Sequence, residues 1–144
     1  MMMPEDAYYP QLRRSVASFY AECLPWFTKK GSRKATYQAG FEADIQAMNA
    51  FRERIKLGVP IAEAKLAATP SIADIVNNEE TLRKILRDPE REDAVITRTR
   101  EVAGRYDFDP DVAARIFRWA IDTTLDAEVY YLLYKFPPRL RSRR

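Results

Sequence analysis

Apolar residues recur every three or four positions along most of this chain, the period of an α-helix, and no alternating Val/Ile/Thr run bounded by turns marks a strand. The pattern predicts a nearly all-helical protein. Tyr9, Leu12, Val16, Phe19 and Tyr20 place a first helix within about residues 5–24, before Pro25 interrupts it. The segment WFTKKGSRK, with Gly31, reads as a connector. A long second helix is expected from about Ala35 to Ala67, bent near Gly58 and Pro60 because a proline cannot donate to the carbonyl of Lys56. TPSIADIVNNEETLRKIL reads as a loop with one or two short helices. Asp88 before Pro89 and Asp109 before Pro110 each combine a capping acid with a proline at the first helical position. The last helix is expected to run to about Phe136 and to stop at Pro137 and Pro138.

Composition narrows the chemistry. A chain of 144 residues, 47% hydrophobic, suits one domain over residues 1–136, with 1–34 as an N-terminal extension and 137–144 as a disordered basic tail. The single Cys23 excludes a disulfide within the chain, and the absence of His removes the usual general base and the commonest zinc ligand. Carboxylates, hydroxyls and cations are what remains, and neither a cofactor nor a metal is expected. No apolar run has the length of a membrane span, and MMMPEDAYYP lacks the order of a secretory signal, so a cytoplasmic protein without a membrane partner is expected. The net charge of +3 lies in the tail, where KFPPRLRSRR carries five cations and no acid. A ragged basic end is commonly a solvated terminus, so no nucleic-acid partner is expected. If the tail did bind nucleic acid, removing residues 137–144 would abolish that binding and spare any site in the helices.

Three polar interruptions of apolar stripes carry the candidate chemistry. Arg54 and Lys65 are eleven residues apart, close to three helical turns, and so share one face at about 16 Å along the axis. On the stripe Ala47, Phe51, Arg54, Gly58, Ile61 and Lys65, both cations stand where apolar residues belong. Either they snorkel or pair at the edge of the core, or they form one wall of a site for an anion. In RIFRWAIDTTLDAEVYY the stripe Phe117, Ile121, Thr124, Glu128, Tyr131 is broken by a hydroxyl and a carboxylate one turn apart. A threonine bonded back to its own helix and a glutamate paired with an arginine account for these equally well. In DPERED, Asp88 caps a helix whose first turn holds Arg91 and Glu92; the acid suits the helix dipole there and the arginine does not.

Taken together these segments resemble the all-helical chorismate mutase family, over roughly residues 40–132. RIKLGVPIAEAKL is similar to the family's Arg and Lys helix, including the proline of the secreted branch. DPEREDAVI resembles its Asp-x-x-Arg-Glu segment, and YDFDPDVAARIFRWAIDTTLDAE its last catalytic helix. The order and spacing, with Arg91 33 residues before Thr124 and Glu128 one turn later, carry the resemblance. It implies a helical bundle with a long bent helix, expected to be homodimeric, and a Claisen rearrangement of chorismate to prephenate in aromatic amino acid biosynthesis. Arg54 and Lys65 would then bind carboxylate and ether-oxygen groups of the substrate, with Arg91 near its second anionic group. Glu92 would accept from the ring hydroxyl, Thr124 would help hold a carboxylate, and Glu128 would face the ether oxygen of the breaking bond. Asp88 matches a position with backbone contacts in some members and is equally a plain cap.

The chain also departs from the family pattern. The interval between Lys65 and Arg91 is wider than in compact bacterial members; an ungapped register would instead put Asn77 and Asn78 at the catalytic positions. DPERED is preferred because its distance to the last helix needs no gap. Compact dimeric members supply a further arginine from the start of the long helix, often across the dimer, where this chain has Tyr37; Arg33, or Arg13 and Arg14, are the candidate substitutes. Relatives on the scaffold act as mutases of 4-amino-4-deoxychorismate or as isochorismate pyruvate lyases. A noncatalytic helical binding or regulatory module is the alternative outside enzymology.

Overall fold

In the computed structural model, which describes residues 16–22 and 37–137, every regular element is a helix. Residues 16–22 form α1; α2 (Tyr37–Lys56), α3 (Gly58–Ala68), α4 (Ile72–Ile75), α5 (Glu79–Leu86), α6 (Pro89–Arg105) and α7 (Pro110–Lys135) follow. The expected long bent helix is the pair α2 and α3, joined through Leu57 alone. At the joint the Leu57 N–H bonds the Arg54 carbonyl at 3.3 Å, and the helical ladder resumes with the Ile61 N–H on the Leu57 carbonyl at 3.0 Å. Pro60 has no N–H for the carbonyl four residues earlier, which is the reason for a break here.

The segment between α3 and α6 holds two short helices, α4 and α5, at the upper end of the one or two expected. Asn78 caps α5 by accepting from the Thr81 N–H at 3.1 Å, and Ile72, Val76, Leu82 and Leu86 are completely or almost completely buried. They form the main core with Ala62 of α3 and Leu125, Val129 and Leu132 of α7. The apolar spacing 72, 76, 82, 86 is interrupted at Asn77 and Asn78, where α4 ends and α5 begins. Arg83 of α5 and Arg87, the residue that follows the helix, pair with Asp126 and Asp122, four apart on α7, each at 2.7 Å. This two-rung ladder sets the register of α5 against α7.

Both Asp-Pro starts form as read. Asp88 accepts from the Arg91 N–H at 3.1 Å, and Asp109 from the Asp111 and Val112 N–H groups at 2.9 and 3.4 Å. Between α6 and α7 the chain reverses through Asp107, which has a left-handed φ of 55°, and the Phe108 N–H closes on the Ala103 carbonyl at 2.9 Å. α7 packs against α2, α3, α5 and α6 and is the axis of the bundle. A second core joins Val16, Ile55 and Ala127, beside an aromatic group in which Phe19 stacks on Trp119 at 4.1 Å and Phe51 meets both edge-on. Residues 16–22 of the N-terminal extension are therefore part of the packed bundle.

Gly58 lets α3 approach α7 closely. A Cβ there would lie 2.8 Å from that of Ala127 and 3.0 Å from the Thr124 carbonyl oxygen, closer than side chains pack. Gly58→Ala would ordinarily gain about 1 kcal/mol of helix propensity. Here it is expected to destabilise the protein by about 1–3 kcal/mol, because α3 must shift off α7. Thermal or urea melting checks this, and a variant more stable than the parent contradicts it.

Candidate active site

The close α3–α7 packing fixes an ion pair across it. Lys65 Nζ donates to Glu128 Oε1 at 2.7 Å and to the Leu86 carbonyl at 2.5 Å. That carbonyl is in the last turn of α5, where helix carbonyls lack intrahelical partners and the helix dipole is negative. The lysine head is thus held by two helices at once. The Glu128 side chain is only 5% exposed, against 35% for Lys65. Burial is the strongest influence on the Glu128 carboxyl and pushes its pKa above the ordinary glutamate range; Lys65 and Arg54 pull it down, and Glu92 pushes it up. With Oε1 bonded by the ammonium, Oε2 has no partner among the described residues and can carry the proton.

Around this pair lies a cleft of about 470 Å3. Arg54 from the last turn of α2, Lys65 of α3, Asp88, Arg91 and Glu92 at the start of α6, and Thr124 and Glu128 of α7 all line it. Ile61, Val95, Ile121 and Leu125 supply apolar walls. The Asp88-Arg91-Glu92 register thus stands at the cleft, while Asn77 and Asn78, at the N-terminal end of α5, do not line it. No ion pair among the described residues engages the guanidinium of Arg54 or Arg91, and both residues are exposed, as is Asp88. The cleft is therefore open on the side of these arginines and closed at its floor, where Lys65 and Glu128 meet.

Glu92, 12% exposed, is held differently. Its Oε1 accepts from Arg87 at 2.8 Å and from Arg118 at 3.0 Å, and its Oε2 has no partner among the described residues. The Thr124 hydroxyl is buried and donates to the Ala120 carbonyl at 2.7 Å, the plain helical arrangement. Phe117 does not share the buried stripe of α7: it is 46% exposed, and the inward arc runs through Ile121, Thr124, Leu125 and Glu128. Phe117 instead lines an apolar hollow with Phe51, Tyr106 and Phe108. Arg13, Arg14 and Arg33 lie outside the described residues; Tyr37 opens α2. Arg87, Arg118 and the Leu86 carbonyl escaped the sequence reading. Arg118 precedes Asp122 by one turn, which looks like an ordinary surface pair, and a backbone carbonyl leaves no trace in a sequence. Among the described residues no three His, Cys, Asp or Glu side chains gather as a metal-binding group.

An open, cation-rimmed cleft with a protonatable floor suits a small organic anion. A sequence-family model described as Chorismate mutase type II matches residues 41–129, which is more than half of the chain and contains every cleft residue named above. The chain belongs to the chorismate mutase type II family, helical isomerases that act on chorismate. No curated protein and no solved structure matches the chain closely enough to add to this assignment.

The ion pair also predicts a stability effect. A group whose pKa is raised by folding favours the folded state when protonated, so Glu128 contributes fully at pH below its unfolded value and that contribution is lost as pH rises through its folded one. Lys65→Met removes the only side-chain partner that the buried Glu128 carboxyl has among the described residues. It is expected to cost about 1–3 kcal/mol at neutral pH, less than a fully buried pair because the lysine is partly exposed. The deficit should shrink as pH falls and the lone acid takes up a proton. Urea melts of both proteins between pH 4 and 8 check this, and a deficit that grows on acidification contradicts it.

Proposed function

We propose that this cleft converts chorismate to prephenate. The observation that carries the proposal is the gathering of Arg54, Lys65, Arg91, Glu92, Thr124 and Glu128, from α2, α3, α6 and α7, around one cleft of about 470 Å3 in a chain of this family. The reaction is unimolecular and pericyclic: one carbon–oxygen bond breaks as one carbon–carbon bond forms, with no nucleophile required. The protein has to hold a flexible dianion in its reactive chair and stabilise the negative charge that develops on the ether oxygen. Arg54 and Arg91, which have no competing ion pair among the described residues, are placed to take the carboxylates. Lys65 supplies positive charge at the floor, Glu92 Oε2 is the acceptor left for the ring hydroxyl, and Asp88 keeps Arg91 at the first turn of its helix. Thr124 can assist a carboxylate only by turning its hydroxyl away from the Ala120 carbonyl, so its part is the smallest.

Glu128 is the distinctive element, because much of the family carries Gln at this position. A carboxylate cannot donate to an ether oxygen, whereas a carboxylic acid can. With Oε1 on Lys65, a proton on Oε2 would make Glu128 that donor; burial, the largest influence on its pKa, favours the protonated form, while Lys65 and Arg54 favour the ionised one. The reading also includes a homodimer. Phe51, Tyr106, Phe108 and Phe117 line an apolar hollow of about 690 Å3 that shares Val95 with the cleft. A second copy covering this hollow would lie beside the open side of the site, where the family's additional arginine would otherwise come from the position of Tyr37.

Incubation with chorismate, isochorismate and 4-amino-4-deoxychorismate, followed by identification of the products, tests the reading. Prephenate from chorismate is expected; release of pyruvate from isochorismate alone points to the lyase, and no product from any of the three to a noncatalytic module. Turnover should decline as pH rises through the raised Glu128 value, and Glu128→Gln should be less sensitive to pH; a flat profile in the parent contradicts the donor role. Sedimentation should give twice the 16.7 kDa chain mass, and a monomer at assay concentration contradicts the homodimer.

A further inference from the structure

Resting on the mutase reading, we propose that Arg87 and Arg118 are positioning residues that clamp Glu92 with one oxygen turned to the substrate, and that α5 brings Arg87 there. Both guanidiniums bond the same atom, Glu92 Oε1, at 2.8 and 3.0 Å, and approach it from different helices. Arg87 is the C-terminal cap residue of α5, and Arg118 belongs to α7. Each arginine is itself fixed by a second carboxylate: Arg87 Nη2 bonds Asp122 at 2.7 Å, and Arg118 Nη2 lies 3.7 Å from Asp93. Glutamate has three side-chain torsions, and an unrestrained acid in the first turn of a helix points to solvent. Two donors on Oε1 restrain the carboxyl plane, and Glu92 is accordingly 12% exposed while its neighbour Asp93 is 80% exposed. Oε2, with no partner among the described residues, is left as the acceptor at the cleft.

The same three consecutive residues serve the floor and the wall. The Leu86 carbonyl receives the Lys65 ammonium, the Arg87 side chain receives Glu92, and Asp88 caps the helix that carries Arg91. This junction is placed by α5, whose burial of Leu82 and Leu86 and whose Arg83–Asp126 rung hold it against α7. The wide interval between Lys65 and Arg91 thus builds a support for the site.

The test is a set of double-mutant comparisons on chorismate turnover, with Arg87→Gln and Arg118→Gln each made in the parent and in Glu92→Gln, and with melting curves for every protein. If the arginines act through Glu92, each is expected to lower kcat by roughly tenfold in the parent, and to change it by less than about twofold once Glu92 no longer carries the carboxylate. Lys84→Gln, which breaks only the exposed Lys84–Glu80 pair on the outer face of α5, should leave both the melting temperature and kcat close to those of the parent. Two results overturn the proposal alone: an active parent indifferent to both arginine substitutions, or losses of equal size in both backgrounds, which mark a merely structural role. A parent that leaves chorismate unconverted overturns the mutase reading and this proposal with it.

Discussion

The contact between Lys65 and Glu128 is the constraint on which the rest of the structure turns. It joins residues 63 positions apart, on α3 and α7, at 2.7 Å, and forms only if those helices pack with almost nothing between them. Gly58 permits that approach, the break at Leu57 aims α3 along α7, and the buried C-terminal half of α7 provides the surface. The α5 helix then adds the Leu86 carbonyl as a second acceptor, so the ammonium is fixed between two helices instead of sweeping through solvent. A carboxyl buried this deeply is costly when ionised and alone, and its partner lessens that cost without cancelling the effect of burial.

From that floor the cleft grades outward in both charge and solvation. Lys65 and Glu128 satisfy each other, Glu92 is held by two arginines, and Arg54 and Arg91 stand at the rim without ion-pair partners among the described residues. Cations not already neutralised suit an anionic ligand: the electrostatic gain of binding is not offset by breaking an existing pair. The exposed arginines also imply that ligand binding, or a covering subunit, must exclude water before their charge reaches full effect.

Much of this was legible in the sequence, for identifiable reasons. The bent helix was readable from Gly58 and Pro60, and both later helix starts from an aspartate followed by a proline, since these signals are local and steric. The polar residues that share the cleft stood out as interruptions of apolar stripes, and their spacing resembled a family that the match over residues 41–129 then showed. What escaped depends on contacts between distant segments. Ile72, Val76, Leu82 and Leu86 look like fragments until α7 is laid against them. Phe117 continues the helical period of its neighbours but lines an apolar hollow and is half exposed. Arg87 and Arg118 gain their significance from a shared glutamate oxygen, and no spacing along one helix encodes that.

The central claim is that cations from separate helices converge on a cleft fitted to a small dianion, and binding of a nonreacting mimic tests it most directly. Calorimetric titration of the protein with a bicyclic dicarboxylate shaped like the reactive chair should show one molecule bound per chain, with an affinity that falls as salt is raised and falls further when Arg54 or Arg91 is replaced by a neutral residue. A protein that binds no dicarboxylate, or binds it equally well without these guanidiniums, contradicts the account.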